Sequence, residues 1–338
     1  MDSLTQIVLG AAVAEAAAGK KMGNKAAFWG AIAGTIPDLD VFVRAWSHPI
    51  DGALLHRGFS HSIVFAVLFS PMIAWVCYRL YKRKFEFNTW LWLFFLSIIT
   101  HPMLDLFTNY GTEFLWPFTN RISFNSVFVV DPLYTVPFGI LLLIALFKPR
   151  ESVWRRRLNW IGIVYSSLYL VWCTTVKIAV LDRSDEYFEY AGIEGKNTLV
   201  TPMPFTSFYW MMITEDNDSF YVGYKSLFYE FQANDINIIE KNHKLFESLK
   251  WENKDYKEKL KFISQGYYAC EQSNDTINVY DLRFGVAAKF TEDIITTPIM
   301  GYGMVIDNGF VNKTVKSGRT DMWRHVNFNA YLNKVFTK

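Results

Sequence analysis

The chain has 338 residues, of which 51% are hydrophobic, 17% aromatic and only 20% charged, and its formal net charge is +2. So apolar a chain with so little net charge is not disordered, its three cysteines cannot staple a disulfide scaffold of this size, and it has no basic excess with which to meet nucleic-acid phosphates. A mean hydropathy of +0.10 predicts a mixture of lipid-embedded and water-exposed parts.

In chain order, two Ala- and Gly-rich segments come first, at residues 4–18 and 26–43, a composition suited to close helix packing in lipid. The first is short for a span and carries Glu15. Asp2 stands where a cleavable signal peptide would be basic, so no such signal is expected. Four stronger apolar runs follow at residues 58–81, 90–107, 131–147 and 158–181. Each is about long enough to cross roughly 30 Å of hydrocarbon. Asp131-Pro132 reads as a helix start, with aspartate as cap and proline in the first turn. Trp116-Pro117-Phe118 reads as an interfacial aromatic anchor.

After about residue 182 charges become dense and no apolar run reaches spanning length. Residues 219–231 and 278–282 read as strands, and residues 235–266 as largely helical, with Leu245, Leu249, Tyr256 and Leu260 among lysines and glutamates. The expected architecture is an α-helical multi-pass membrane domain of about six segments, residues 1–181, followed by a small α+β soluble domain, residues 182–338.

The basic residues sort between loops. Lys20, Lys21 and Lys25 follow the first segment; Arg79, Lys82, Arg83 and Lys84 follow the third; Lys148, Arg150, Arg155, Arg156 and Arg157 follow the fifth. The other loops hold Arg44, Arg57 and Arg121. The positive-inside rule places the basic loops in the cytoplasm and the carboxy-terminal domain outside it. Three motifs then share the outer face: Pro37-Asp38-Leu39-Asp40, His56-Arg57-Gly58-Phe59-Ser60-His61 and His101-Pro102-Met103-Leu104-Asp105.

Charged and imidazole side chains near lipid are costly, and are paired, cavity-facing or functional. His101 and Asp105, four apart, share one helix face. His56 and His61 bracket a glycine-containing turn, and Asp38 and Asp40 lie one residue apart at a proline break. Singly, each motif has a bland reading: a helix cap, an interface histidine, a histidine oriented by a carboxylate. Their convergence on one face sets them apart. Three histidines and three aspartates make a nitrogen and oxygen donor set suited to one or two divalent ions, Zn²⁺ first, with Mn²⁺ or Fe as alternatives. Arg57, beside His56, could clamp an anionic group such as phosphate, with headgroup anchoring as the equal alternative. His48, His243 and His325 read as ordinary surface residues.

These motifs, in this order, with Met1-Asp2-Ser3-Leu4-Thr5-Gln6 at the start and Tyr110-Gly111-Thr112 leading to Leu115-Trp116-Pro117-Phe118, resemble the membrane-bound metal-dependent hydrolase family, which includes LexA-regulated inner-membrane proteins of bacteria. The resemblance covers roughly residues 1–180; Asp281-Leu282-Arg283-Phe284-Gly285 looks like the carboxy-terminal extension of one subgroup. It implies a multi-pass protein of the bacterial inner membrane with metal ligands at Asp38, Asp40, His56, His61, His101 and Asp105. Many members carry histidine where this chain has Gln6, a poorer ligand. The function expected is metal-dependent hydrolysis of an ester or phosphoester in a lipid or membrane-associated substrate, with Asp38 and Arg57 as catalytic residues and the lipid bilayer as the constant partner. The alternative is a non-catalytic metal-binding or transport-associated protein whose outer domain binds a partner.

Overall fold

A computed structural model describes residues 1–118, 120–231, 235–251, 255–286, 298–317 and 327–337; His325 lies outside them. The chain forms two compact units, one made of residues 1–45, 55–175 and 204–206, the other of residues 46–54, 176–203 and 207–338. The parting therefore does not fall at a single point near residue 181, because a short stretch of the amino-terminal half joins the second unit.

The first unit is helical. It contains α1 (Ser3–Met22), α2 (Asn24–Thr35), α3 (Asp40–Trp46), α5 (Ile63–Leu80), α6 (Phe87–Asp105), α7 (Pro132–Leu146) and most of α8 (Val153–Asp182); α4 (Pro49–Leu55) lies in the intervening stretch. Ile63–Leu80, Phe87–Asp105 and Val153–Tyr190, where α8 runs into α9 (Ser184–Tyr190), are long and apolar enough to cross a membrane. The pair Asn24–Thr35 and Pro37–Val43, bent by 42°, makes a fourth if counted as one broken span. This is fewer than the six segments expected. In α1, Gln6, Glu15, Lys20 and Lys21 dilute the alanines. With 15 residues, α7 is only about 22 Å long at the helical rise, short of the hydrocarbon core.

Helices α1 and α2 meet backbone to backbone. A Cβ on Gly30 would sit 2.3 Å from the Gly10 carbonyl oxygen, and one on Gly34 would sit 2.5 Å from the Gln6 carbonyl oxygen, so only glycine permits this approach. On the other side α2 packs on α6 through Trp29, whose ring meets Trp90 and Phe94 edge-on. Arg155 of α8 holds buried Glu15 of α1 with two bonds, of 2.6 and 2.7 Å, and also reaches Asn24 Oδ1 at 2.7 Å and the Lys148 carbonyl at 3.0 Å. As expected, Asp131 caps α7, its Oδ1 accepting from the backbone of Leu133 and Tyr134 with Pro132 in the first turn.

The second unit is rich in sheet. Strands β1 (Lys196–Pro202), β2 (Tyr209–Glu215), β3 (Ser219–Ser226) and β4 (Asn237–Glu240) form one antiparallel meander; β5 (Tyr268–Ser273), β6 (Thr276–Val286), β7 (Pro298–Asp307) and β8 (Phe310–Ser317) form another. Both expected strands are present: the first ends at Ser226, five residues earlier than expected, as β3, and the second lies within β6. The expected helix over residues 235–266 resolves instead into β4, then α10 (His243–Ser248) and α11 (Asp255–Ser264). β-branched Ile238 and Ile239 sit where β4 pairs with Tyr221 and Phe220 of β3. Near the end of the chain lies α12 (Phe328–Phe336), whose Tyr331 and Val335 enter the core beside β2, β3 and β6.

Within this unit α4 supplies Ile50 and Ala53, both buried with Phe246, Leu260 and Met304. Asp51 pairs with Lys259 at 2.7 Å, and the His48 ring stacks on Tyr256 at 4.4 Å. His243 likewise stacks on Tyr268 and donates to its carbonyl at 3.0 Å. Both histidines thus have structural partners rather than free surface positions.

Candidate metal centre

Three breaks in the helical chain position the site. Pro37 ends α2, and a single 3-10 turn over Pro37–Leu39 carries Asp38, with Asp40 opening α3. A second such turn, Phe59–His61, presents His61 before Ser62 caps α5 by accepting from the Phe65 backbone at 3.0 Å. His101 and Asp105 occupy the last turns of α6. The loop after α6 folds back, its Glu113 amide donating to the Arg57 carbonyl at 2.9 Å and its Phe114 carbonyl accepting from Ile63 at 3.1 Å, which fixes the turn between the two histidines.

The result is a convergence of four side chains from three stretches of sequence. His61 Nε2 lies 3.2 Å from His101 Nε2. Asp38 Oδ1 lies 3.3 Å from His61 Nε2 and 3.5 Å from His101 Nε2. Asp105 Oδ2 lies 3.4 Å and 3.5 Å from the same two atoms. His61, His101 and Asp105 are buried, whereas the Asp38 side chain is 26% exposed and forms the open side.

The outer partners fix which nitrogens face inward. His101 Nδ1 donates to the Gly34 carbonyl at 2.5 Å. His61 Nδ1 donates to Ser60 Oγ at 2.9 Å, and Ser60 passes its own proton to Asp40 Oδ2 at 2.9 Å. In their neutral form both rings therefore turn a lone pair toward the two carboxylates. Asp105 Oδ1 accepts from Gln6 Nε2 at 3.1 Å and from the Met1 amino group, while its Oδ2 is buried without a hydrogen bond.

In that form four lone-pair atoms converge, and they repel one another unless a cation lies between. For a tetrahedral ion with bonds of about 2.0–2.2 Å, the ligand atoms stand roughly 3.3–3.6 Å apart. Five of the six separations measured here run from 3.2 to 3.5 Å. The residues thus fit a divalent ion, in a set of two nitrogens and two oxygens.

Asp40 and His56 lie beside this cluster rather than inside it. With Asp38 they form a second group whose ligand atoms are within 4.8 Å of one another. Both Asp40 oxygens are engaged: Oδ1 by His56 Nδ1 at 2.9 Å, Oδ2 by the Arg57 amide at 3.2 Å and by Ser60. Burial holds the His56 imidazole below its ordinary pKa, against the opposing pull of Asp40. The Arg57 guanidinium points inward, its Nη1 donating to Thr108 Oγ1 at 2.6 Å and its Nε 3.3 Å from Asp105 Oδ2, over the Tyr110 ring. A left-handed backbone at Arg57, φ 62°, makes that inward turn possible. Gln6 and the Gly34 carbonyl were not among the expected site residues. For Gln6 the only signal was its place in the opening motif, and a backbone carbonyl leaves none in a sequence.

The model of the YdjM inner membrane protein family matches residues 1–179. The uncharacterised Bacillus subtilis (strain 168) protein YfhP is 26% identical over 192 residues, which are 55% of this chain and 54% of that protein. The Escherichia coli (strain K12) inner membrane protein YbcI is 32% identical over 126 residues, 35% of this chain and 72% of that protein. The chain thus spans only about half of YfhP. No solved structure matches. With more than half its length matched, the chain belongs to the YdjM inner membrane protein family.

Proposed function

We propose that this member of the YdjM family is a membrane-bound hydrolase whose divalent ion, zinc by the donor set, is held by His61, His101, Asp105 and Asp38. The observation that carries the reading is the tetrahedral spacing of four lone-pair atoms, three buried and one on an open side. An ion bound there would bring the pKa of a water toward about 7 and polarise the ester being cut. The protein's own work is orientation. Gly34 and Ser60 hold the two imidazoles, and Arg57 and Gln6 hold the Asp105 carboxylate. Asp38, the exposed ligand, shares the open side with substrate. Three motifs at helix breaks beside apolar spans favour a lipid-borne ester or phosphoester. The bias of the basic loops supports a multi-pass inner-membrane topology with this face and the sheet-rich unit outside the cytoplasm.

A second reading has its own support: four protein ligands fill a tetrahedron, as structural zinc sites do. Elemental analysis of detergent-purified protein, supplied with metal and kept from chelators, tests both together with a screen of phosphodiester and phospholipid hydrolysis. About one equivalent of zinc with turnover supports the hydrolase. Zinc with no turnover on any substrate leaves the structural site, and well under one equivalent of any transition metal overturns both.

A further inference from the structure

His56 is set differently from the two imidazoles of the cluster. His61 and His101 spend Nδ1 on outer partners and turn Nε2 inward. His56 also donates through Nδ1, at 2.9 Å, but to a carboxylate, Asp40 Oδ1. That carboxylate is itself fixed by the Arg57 amide and the Ser60 hydroxyl. The ring stands edge-on to Tyr110, at 5.3 Å between centroids, and to His61, at 5.8 Å. Its backbone carbonyl accepts from Arg121 Nη2 at 3.0 Å. The ring is thus pinned from several sides. Among the described residues nothing hydrogen-bonds its Nε2, and its side chain is 19% exposed.

We infer that His56, oriented by Asp40, is the proton-transfer residue of this site and a catalytic residue rather than a metal ligand. The inference rests on the hydrolase reading. A carboxylate on Nδ1–H fixes the tautomer and direction of an imidazole and leaves a basic Nε2 free for chemistry, the arrangement that serves acyl transfer in serine hydrolases. In phosphoester hydrolysis a bond forms between phosphorus and the water oxygen, and the bond from phosphorus to the leaving oxygen breaks. The water gives up a proton, which Nε2 takes. The leaving oxygen departs on the opposite side of phosphorus and takes its proton from bulk water, and the imidazolium returns its own proton to bulk water, so the imidazole ends neutral as it began and Asp40 stays ionised throughout. Asp40, with three donors on its two oxygens, has little capacity left for an ion, which argues against a second metal at Asp38, Asp40 and His56.

The test uses the full chain in detergent, supplied with zinc, as wild type, His56→Ala, His56→Asn, Asp40→Asn and His61→Ala. We expect His61→Ala to lose its zinc and both His56 variants to keep the wild-type equivalent. Diethyl pyrocarbonate should modify His56 in the zinc-loaded wild type while His61 and His101 stay protected. On a phosphodiester probe, the His56 variants should lose 10²–10⁴-fold in kcat with KM little changed. The loss should be similar for a phenyl and a p-nitrophenyl leaving group, because Nε2 serves the attacking water and not the leaving oxygen. Asp40→Asn should keep zinc and lose rate. Loss of zinc from both His56 variants, or protection of His56 by zinc, overturns the inference by making it a ligand. Unchanged kcat with zinc retained makes it a spectator, and a loss confined to the phenyl leaving group overturns its role as base to the water. A wild type that holds zinc and cleaves nothing refutes the hydrolase reading itself and with it this role, while the zinc contents still say whether His56 is a ligand.

Discussion

Substituting Gly34 by alanine probes the site without touching a ligand. The new Cβ would lie 2.5 Å from the Gln6 carbonyl oxygen and 3.2 Å from Gly10 Cα, and ordinary contact begins at 3.4 Å. Both obstacles are backbone, so no rotamer change relieves them, and α2 must retreat from α1 by about 0.9 Å. The Gly34 carbonyl now accepts from His101 Nδ1 at 2.5 Å. Because α6 packs on the other side of α2, a retreat of that size carries the carbonyl out of its present position against the His101 ring, and the bond loses its length and alignment. Asp38, one helical turn further along the same segment, moves with it. Overpacking of this kind costs about 1–3 kcal/mol of stability, and loss of an outer partner lowers metal affinity roughly 10–100-fold. Competition for zinc against a chromophoric chelator measures the second effect, and thermal unfolding in detergent the first. Gly139→Ala is the control, since its Cβ would meet only Val8 Cγ2 at 3.7 Å; it should change stability by less than about 0.5 kcal/mol and leave zinc binding intact. Wild-type zinc affinity in Gly34→Ala would refute the argument that the α1–α2 approach sets the His101 ring.

His61→Ala and His101→Ala should each strip the metal nearly completely, and the double variant should lose little more, because ligands of one ion act as a unit; additive losses in zinc affinity would place them in separate sites. Arg155→Met leaves Glu15 buried without its partner and should destabilise the helical unit by about 3–5 kcal/mol, while Arg155→Met with Glu15→Leu should recover part of that in the same thermal assay. Glu113, in the loop after α6, is pushed above its ordinary pKa by burial, with Arg121 opposing. The folded protein therefore holds this proton more tightly than the unfolded chain, and the residue's contribution to stability falls as pH rises past the ordinary glutamate value. Glu113→Gln should accordingly gain in Tm over wild type between pH 4 and pH 7, and a gap that stays flat across that range would show that burial does not govern the group.

What could be read from the sequence depended on whether the signal was local. His101 and Asp105 share a helix face by spacing alone, and the Pro37 break and the Gly58 turn announced the other two stretches of the site. The apolar runs separated a helical half from a polar one. Less legible were features made by distant backbone. The acceptor for His101 is a carbonyl 67 residues away, and the partner of Asp105 Oδ1 is a glutamine 99 residues away. The charge of Arg57 is visible in sequence, as a clamp or a headgroup anchor, but the left-handed φ that turns its guanidinium toward Thr108 and Asp105 is not. Residues 237–240 carry a strand preference short enough to be absorbed into the helical pattern around them, and only pairing with β3 reveals it. In α1 the alanines and glycines serve close packing, as their composition suggests, but Gln6, Glu15, Lys20 and Lys21 keep the helix from reading as a span.

The stretch at residues 46–54 belongs to the sheet-rich unit, yet it lies inside the part of the chain that matches the family. The sheet-rich unit is therefore not closed by the tail alone. Ile50 and Ala53 fill a core formed by residues some two hundred positions downstream, so the stretch between the Asp38 and His56 motifs answers to the packing demands of that core. Family members without such an extension should be free of that demand, and their counterparts of Ile50 and Ala53 should drift toward polar residues while the motifs on either side stay fixed. A graft of the tail onto such a member would need this nine-residue loop carried across with it.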